Sequence, residues 1–152
     1  MTIVEYAELP RELSSDYLAK YQEVEGLRIH TVRMDLEART AEALLDLEKP
    51  ISPKDFHLSQ NSAYLALCQL IMAYTCKELE ADKDTVGQHT QFEQTSYNQR
   101  PIRESEGIRL KVQFESQEKK EVGGKTRVKS NCSYEVNEGS FSGSFRFVYF
   151  QP

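Results

Sequence analysis

Three polar side chains able to do chemistry lie at alternate positions just before the longest apolar run of the chain. They are His57, Ser59 and Asn61, in the segment "DFHLSQNSAYLALCQLIMAYTCKEL". A histidine can exchange a proton near neutral pH, and an amide can hold a water molecule or a carbonyl oxygen. If the apolar run is a helix, its N-terminus offers unpaired backbone N–H groups and a partial positive charge that can stabilise an oxyanion. The pattern therefore predicts a site where water attacks a carbonyl group.

The element that positions these side chains is a helix predicted over residues 59–80. Its apolar residues recur at helical spacing, and further apolar residues fill the remaining sides. A helix that is apolar nearly all round is normally buried in a core. A structural interpretation of the cluster stays open beside the chemical one, since Ser59 is a good N-cap residue and His57 could bond to a backbone carbonyl.

The rest of the chain supplies one short helix and several strands. "SSDYLAKYQEVEG" predicts a helix capped by Ser14 or Ser15 and ended by Gly26. "LRIHTVRMDLEA" and "TAEALLDLEK" predict an antiparallel pair of strands, although Leu44 interrupts the alternation of the second. After the long helix, four β-leaning segments follow, three of them joined by short turns: "QHTQFEQTSYNQRPI", "GIRLKVQFES", "TRVKSNCSYEV" and "SFSGSFRFVYF".

The predicted order is thus a helix, two strands, one long buried helix and about four strands. An antiparallel sheet can bury one long helix if it curls around it. We therefore predict an α+β hotdog fold, with a curved antiparallel sheet wrapped around the central helix (about residues 59–80), as one domain over residues 1–152. The alternative is a cone-shaped α+β barrel, which usually opens with several helices, whereas this chain places its main helix in the middle.

Composition excludes several classes of function. A net charge of −5 argues against nucleic acid or an anionic membrane as the main partner. The N-terminus lacks the pattern of a signal peptide, and no segment approaches the roughly 18 apolar residues of a membrane span. Three cysteines without CxxC spacing argue against a disulfide framework and a zinc site. We expect a cytoplasmic protein without a metal or cofactor.

The helix segment "HLSQNSAYLALCQLIMAY" resembles the start of the central helix in hotdog thioesterases, whose common pattern is Gly-His-(Val/Phe)-Asn before an apolar helix. More specifically, the chain is similar to the FcoT-like long-chain fatty acyl-CoA thioesterase family. "RELSSDYLAKYQEVEGLRI" resembles that family's N-terminal helix and first strand, "SYNQRPI" its Arg-Lys-Pro strand segment, and "FSGSFRFVYFQP" its closing strand. The resemblance implies hydrolysis of an acyl-CoA or acyl-carrier-protein thioester by at least a homodimer.

The catalytic candidates are His57 and Ser59, which the resemblance carries over by position, and Asn61. His57 matches the motif histidine, whereas Ser59 stands where the family has asparagine and Phe56 replaces the motif glycine. Ser62 stands where the family carries a helix glutamate, and Asn61 is a candidate substitute able to hold water or the carbonyl oxygen.

The substrate-binding candidates are Ser62, Tyr64, Gln69, His89, Arg100 and Arg103. Gln69 is an amide inside an apolar helix and needs a partner, which is either a neighbouring strand or a ligand cavity. Arg100 and Arg103 could meet the phosphates of CoA or of a phosphopantetheine arm. Tyr64 would line the acyl tunnel and, with Met72, influence the preferred chain length.

Two other functions stay open at this stage. A hotdog dehydratase acting on 3-hydroxyacyl thioesters would pair the histidine with a helix carboxylate, and this helix has none before Glu78. A non-catalytic hotdog module that binds an acyl group or a partner protein is favoured by the missing helix glutamate.

Overall fold

The computed structural model describes residues 2–48, 58–87 and 91–151. In these residues the helices are α1 (Asp16–Glu25), α2 (Gln60–Leu79) and α3 (Lys83–Gly87), and a 3-10 turn covers Arg11–Leu13. The strands are β1 (Ile3–Glu8), β2 (Leu27–Asp35), β3 (Thr40–Leu47), β4 (Gln91–Gln99), β5 (Ile108–Val122), β6 (Lys125–Val136) and β7 (Phe141–Phe150).

All these strands belong to one antiparallel sheet, in the order β1-β2-β3-β5-β6-β7-β4. β3 precedes α2 in the chain and β4 follows it, yet four strand positions separate them in the sheet. The chain therefore crosses the sheet between β3 and β4, and α2 lies against the face that we call inner. The order of elements in the sequence predicted this arrangement, in which one sheet packs on one long helix.

The long helix is the element the sequence predicted best, since it begins and ends within one residue of the predicted bounds. Its side chains are buried from Ser62 to Cys76, except for the half-buried Tyr64. Burial on nearly every side explains why the helix lacks a polar stripe. No helix within the described ranges is long and apolar enough to cross a bilayer.

Alternation of apolar residues also predicted the inner face of the sheet. The predicted rows of β3, β5, β6 and β7 are buried there: Ala41, Ala43, Leu45 and Leu47; Ile108, Leu110, Val112 and Phe114; Val128, Cys132, Tyr134 and Val136; Phe141, Phe145, Phe147 and Tyr149. They form one core with the side chains of α2. Between β5 and β6, Gly123 and Gly124 both adopt positive φ, as a tight two-residue hairpin turn requires.

The N-terminal region differs from the prediction in one respect. The predicted helix is α1, with Ser15 as its N-cap and Gly26 in the left-handed conformation at its C-cap. The strand β1 precedes it and was not predicted, because its six residues are exposed or half-buried and carry no strong alternation. β1 forms by pairing with the free edge of β2, which is a long-range contact.

Candidate active site at the N-terminus of the central helix

The first turn of α2 carries Ser59, Asn61 and Ser62 of the predicted site, whereas His57 and His89 lie outside the described residues. Ser59 is the N-cap, with extended backbone angles (φ −74°, ψ 150°). Its Oγ accepts a hydrogen bond from the N–H of Ser62 at 3.0 Å, and its C=O accepts from the N–H of Ala63. The structural role of Ser59 as a cap is thus confirmed.

Capping leaves two donors at the helix end. The backbone N–H groups of Gln60 and Asn61 have no acceptor among the described residues, as expected for the first positions of a helix. The side chain of Asn61 is exposed beside them. This end of α2 can therefore bind a partially negative oxygen.

The Ser59→Ala variant tests the cap. We expect it to lower the free energy of unfolding by about 1 kcal/mol, because the N–H of Ser62 then loses its acceptor. Chemical denaturation measures the change, and Ser59→Asp is the control because its carboxylate can cap in the same way. Equal stability of the alanine variant and the wild type would contradict this role.

A carboxylate from α1 reaches the same end of α2. Ser62 is only 2% exposed, and its Oγ lies 2.9 Å from the Oγ of Ser59 and 3.5 Å from Oε2 of Glu25. Glu25 is the last residue of α1 and is half-buried. Sequence reasoning missed this residue because 37 positions separate it from Ser62.

Facing α2 from the sheet is a polar strip that was also missed. Gln60 Nε2 donates to Ser96 Oγ at 3.0 Å, and Gln94 Nε2 donates to the hydroxyl of Tyr134 at 2.7 Å. Ser96 Oγ lies 3.3 Å from the same hydroxyl. The sequence does carry a signal for this strip. Gln94 and Ser96 occupy alternate positions of β4 and so share one face, and a row on the inner face of a sheet is normally apolar.

Tyr64 lies one turn beyond Gln60, between the polar strip and the core. Its ring centroid is 5.6 Å from that of Phe145, which packs in turn on Tyr134. Burial, together with the neighbouring Cys68, raises the pKa of Tyr64 to about 12. Tyr64 is therefore a neutral hydroxyl near pH 7, suited to lining a pocket rather than to acid–base work.

The amide of Gln69 contacts α1. Its Oε1 accepts from the N–H of Ser15 at 2.9 Å, and its Nε2 donates to the C=O of Ser15 and to Oε1 of Gln22. Gln69 is completely buried. These bonds join the two helices and provide the partners that a buried amide needs. They give no support to the predicted role of Gln69 in substrate binding.

The two arginine candidates lie on the exposed connection between β4 and β5. The C=O of Ile102 accepts from the N–H of Leu58 at 2.7 Å, which brings Arg103 close to the start of α2. The backbone N–H of Arg100 donates a hydrogen bond to the C=O of Ser140, the residue that precedes β7. Both side chains are exposed, and of the two Arg103 is tied more directly to the candidate site.

The three cysteines do not form a reactive centre. Cys68, Cys76 and Cys132 are buried as free thiols. Burial raises the pKa of Cys68 and Cys132 to about 12 and that of Cys76 to about 11. A thiol with such a pKa is almost entirely protonated near pH 7 and is a poor nucleophile.

Comparison with known proteins supports the fold. The chain superimposes on the crystal structure of a thioesterase superfamily protein with a TM-score of 0.50 and 15% sequence identity, over 79% of this chain and 53% of the other. The chain thus matches about half the length of that protein. No family model matches the sequence, and no curated protein matches it. The likeness shows a hotdog-type fold of the kind found in that superfamily.

Proposed function

We propose that this chain hydrolyses an acyl thioester at the N-terminus of α2. The observation that carries the proposal is the capped helix end, where the N–H groups of Gln60 and Asn61 have no acceptor among the described residues and polar side chains lie beside them. The fold shared with a thioesterase superfamily protein supports the same chemistry.

In this mechanism the thioester carbonyl oxygen lies against the N–H groups of Gln60 and Asn61. Water adds to the carbonyl carbon while His57 accepts a proton from it, and the helix end stabilises the negative charge that develops on oxygen. The carbon–sulfur bond then breaks, and the thiolate leaves and takes up a proton. Asn61 orients the water, and Ser59 holds the turn in place.

Glu25 contributes the carboxylate of this site. The first turn of α2 contains no acidic residue, but Glu25 reaches Ser62 from the neighbouring helix. A carboxylate there can orient the attacking water or the imidazole of His57.

The acyl chain is proposed to follow α2 from Tyr64 towards Met72, and the resemblance to the FcoT-like family favours a long fatty acyl group. Arg103, with Arg100 further away, would meet the phosphates of CoA or of a carrier-protein arm. Ser62, Gln69 and His89 remain the other predicted contacts.

We further propose a homodimer formed through β4. This strand lies at an edge of the sheet, and the described side chains of residues 93–99 are exposed except for the half-buried Gln94. An edge strand offers unpaired backbone groups to a second copy of itself. Such pairing would place the polar strip of Gln94 and Ser96 near the partner.

Thiol release from short, medium and long acyl-CoAs and from an acyl-carrier protein tests the proposed activity. We expect turnover in the wild type and a loss of about tenfold in Asn61→Ala, equivalent to about 1.4 kcal/mol of transition-state stabilisation. His57→Ala should lose as much or more.

Asn131→Ala is the matched control, because its amide bonds to Ser116 and Arg146 on the other face of the sheet. Turnover that survives in both site variants would contradict the site assignment. Absence of turnover on every substrate would contradict the activity.

The absence of an acidic residue from the first turn of α2 favours a second candidate, a non-catalytic module that binds an acyl group. It predicts that a non-hydrolysable thioether analogue of acyl-CoA binds, as measured by calorimetry, while no thiol is released. Formation of an enoyl product from a 3-hydroxyacyl thioester would instead identify a dehydratase.

A further inference from the structure

A bulge in β2 places two consecutive side chains, His30 and Thr31, on the outer face of the sheet. The register of β2 with β3 shifts between His30 and Arg33. Thr31 has a φ of +50°, a conformation that a β-branched residue rarely adopts. Such local strain costs on the order of 1–3 kcal/mol and is concentrated at functional sites.

These two residues begin a chain of polar contacts that ends on a backbone donor. Thr31 Oγ1 lies 2.9 Å from His30 Nδ1. His30 Nε2 lies 3.0 Å from Asp46 Oδ2, an ion-pair distance, but is not aligned with that oxygen for a hydrogen bond. The N–H of Gly107 donates to Asp46 Oδ1 at 2.7 Å. The side chains of His30 and Asp46 are only 16% and 19% exposed, so the contact between them is largely shielded from bulk water, whereas Thr31 is exposed.

Asp46 is held in its ionised form. Burial alone would raise the pKa of its carboxyl, but the N–H of Gly107 and the imidazole of His30 outweigh that effect and lower the pKa below its ordinary value. The negative charge of the carboxylate, 3.0 Å from Nε2, favours the tautomer of His30 with Nε2 protonated. That tautomer leaves Nδ1 free to accept the proton of Thr31. Nucleophile, base and orienting group have the connectivity expected of a triad.

Thr31 also lines a cleft of about 510 Å³ on this outer face. That volume is within the range of small-molecule sites. Leu44, the residue that interrupts the alternation of β3, supplies an apolar surface in the cleft. The charged residues around it are Arg33, Glu42, Arg109, Lys111, Glu135 and Glu138. Each of the three cations is paired with a carboxylate, Arg33 with Glu5, Lys111 with Glu42 and Arg109 with Glu138. An uncharged ester with a short aliphatic acyl group fits an apolar patch with such surroundings.

We propose that Thr31 and His30 form a second catalytic site, which transfers the acyl group of a small carboxylic ester, with Asp46 as a positioning residue. The hydroxyl oxygen of Thr31 attacks the carbonyl carbon and its proton passes to His30 Nδ1. The carbon–oxygen bond to the alcohol breaks, and the alcohol leaves with that proton. Water then hydrolyses the acyl-threonine by the same steps and regenerates the hydroxyl. Arg33 lines the cleft, and its guanidinium, which also contacts Glu5 at 3.6 Å, supplies positive charge for the oxyanion.

This site is separate from the one at α2, because it lies on the opposite face of the sheet and shares no residue with it. Its test uses p-nitrophenyl acetate as the probe, with two readouts: the release of p-nitrophenolate, and the mass of the intact protein and of its peptides. We expect a burst of release with one acetyl group per chain, located on Thr31.

Thr31→Val should lose the adduct and lower the rate of release at least about tenfold. Thr31→Ser should restore both, which separates loss of the nucleophile from loss of the fold. Asp46→Asn should slow acylation, and Asp46→Glu should recover part of it. Thr40→Val is the control and should leave the burst unchanged.

Acetylation confined to lysines, or a burst that survives in Thr31→Val, would overturn the proposal. A burst lost in Asn61→Ala but kept in Thr31→Val would assign ester hydrolysis to the site at α2 instead. The thiol-release assay of the Asn61 variant distinguishes failure of the proposed thioesterase from failure of this site.

Discussion

Replacing Gly143 by alanine is expected to destabilise the fold by about 3 kcal/mol, because no room exists for a side chain at this position. A Cβ atom there would lie 2.0 Å from the backbone oxygen of Thr95 and 2.7 Å from the hydroxyl of Tyr134. Gly143 pairs with Ser96 of β4 and with Tyr134 of β6. Since the nearest atom belongs to a backbone, the strand β4 itself must move to relieve the contact.

Such a movement also affects the candidate active site. Gln94 and Ser96 reach the hydroxyl of Tyr134 only because β4 approaches β7 closely at Gly143. Displacing β4 would open the polar strip that faces α2. We therefore expect Gly143→Ala to lower thiol release as well as stability.

Chemical denaturation measures the stability of this variant, with Ser142→Ala as the control. Ser142 is the half-buried neighbour on the same strand, and its substitution should change the free energy of unfolding by less than about 0.5 kcal/mol. A Gly143→Ala variant as stable as the wild type would mean that β4 does not pack on β7 in this register.

Local sequence patterns predicted the parts of the fold that depend on local periodicity. α2 was predicted to within one residue at each end because its apolar residues follow helical spacing over twenty positions. The inner rows of β5 and β7 were predicted because side chains of a strand point alternately to its two faces. Ser15 and Gly26 bound α1 as their capping preferences indicate.

Contacts between distant parts of the chain could not be predicted in this way. β1 exists because β2 offers it an edge, and Glu25 meets Ser62 because α1 packs on α2. The bulge at Thr31 was missed although the sequence carries a signal for it, because the apolar residues of β2 change phase between Ile29 and Val32. For the candidate sites, the sequence thus indicated the capping residue and the helix end, but not the side chains that surround them.

Gln69 was expected to bond to a neighbouring strand or to face a ligand cavity, but the partner that the structure provides is the helix α1. A buried amide needs partners, and α1 provides them at both Ser15 and Gln22. We expect Gln69→Leu to lower the free energy of unfolding by about 2 kcal/mol, because the N–H of Ser15 then loses its acceptor and Oε1 of Gln22 loses its donor in a partly buried place.

The same variant distinguishes a structural amide from one that binds substrate. Gln60→Leu is the control for stability alone, since it removes an exposed amide from the same helix. The double variant with Gln22→Leu should lose less than the sum of the two single losses, because the two side chains contact each other. If Gln69→Leu unfolds like the wild type but raises KM for the acyl-CoA, the amide binds the ligand and its contacts with α1 are incidental. If it loses stability while KM is unchanged, Gln69 serves to hold α1 on α2, and so keeps Glu25 beside the end of the helix where the proposed chemistry takes place.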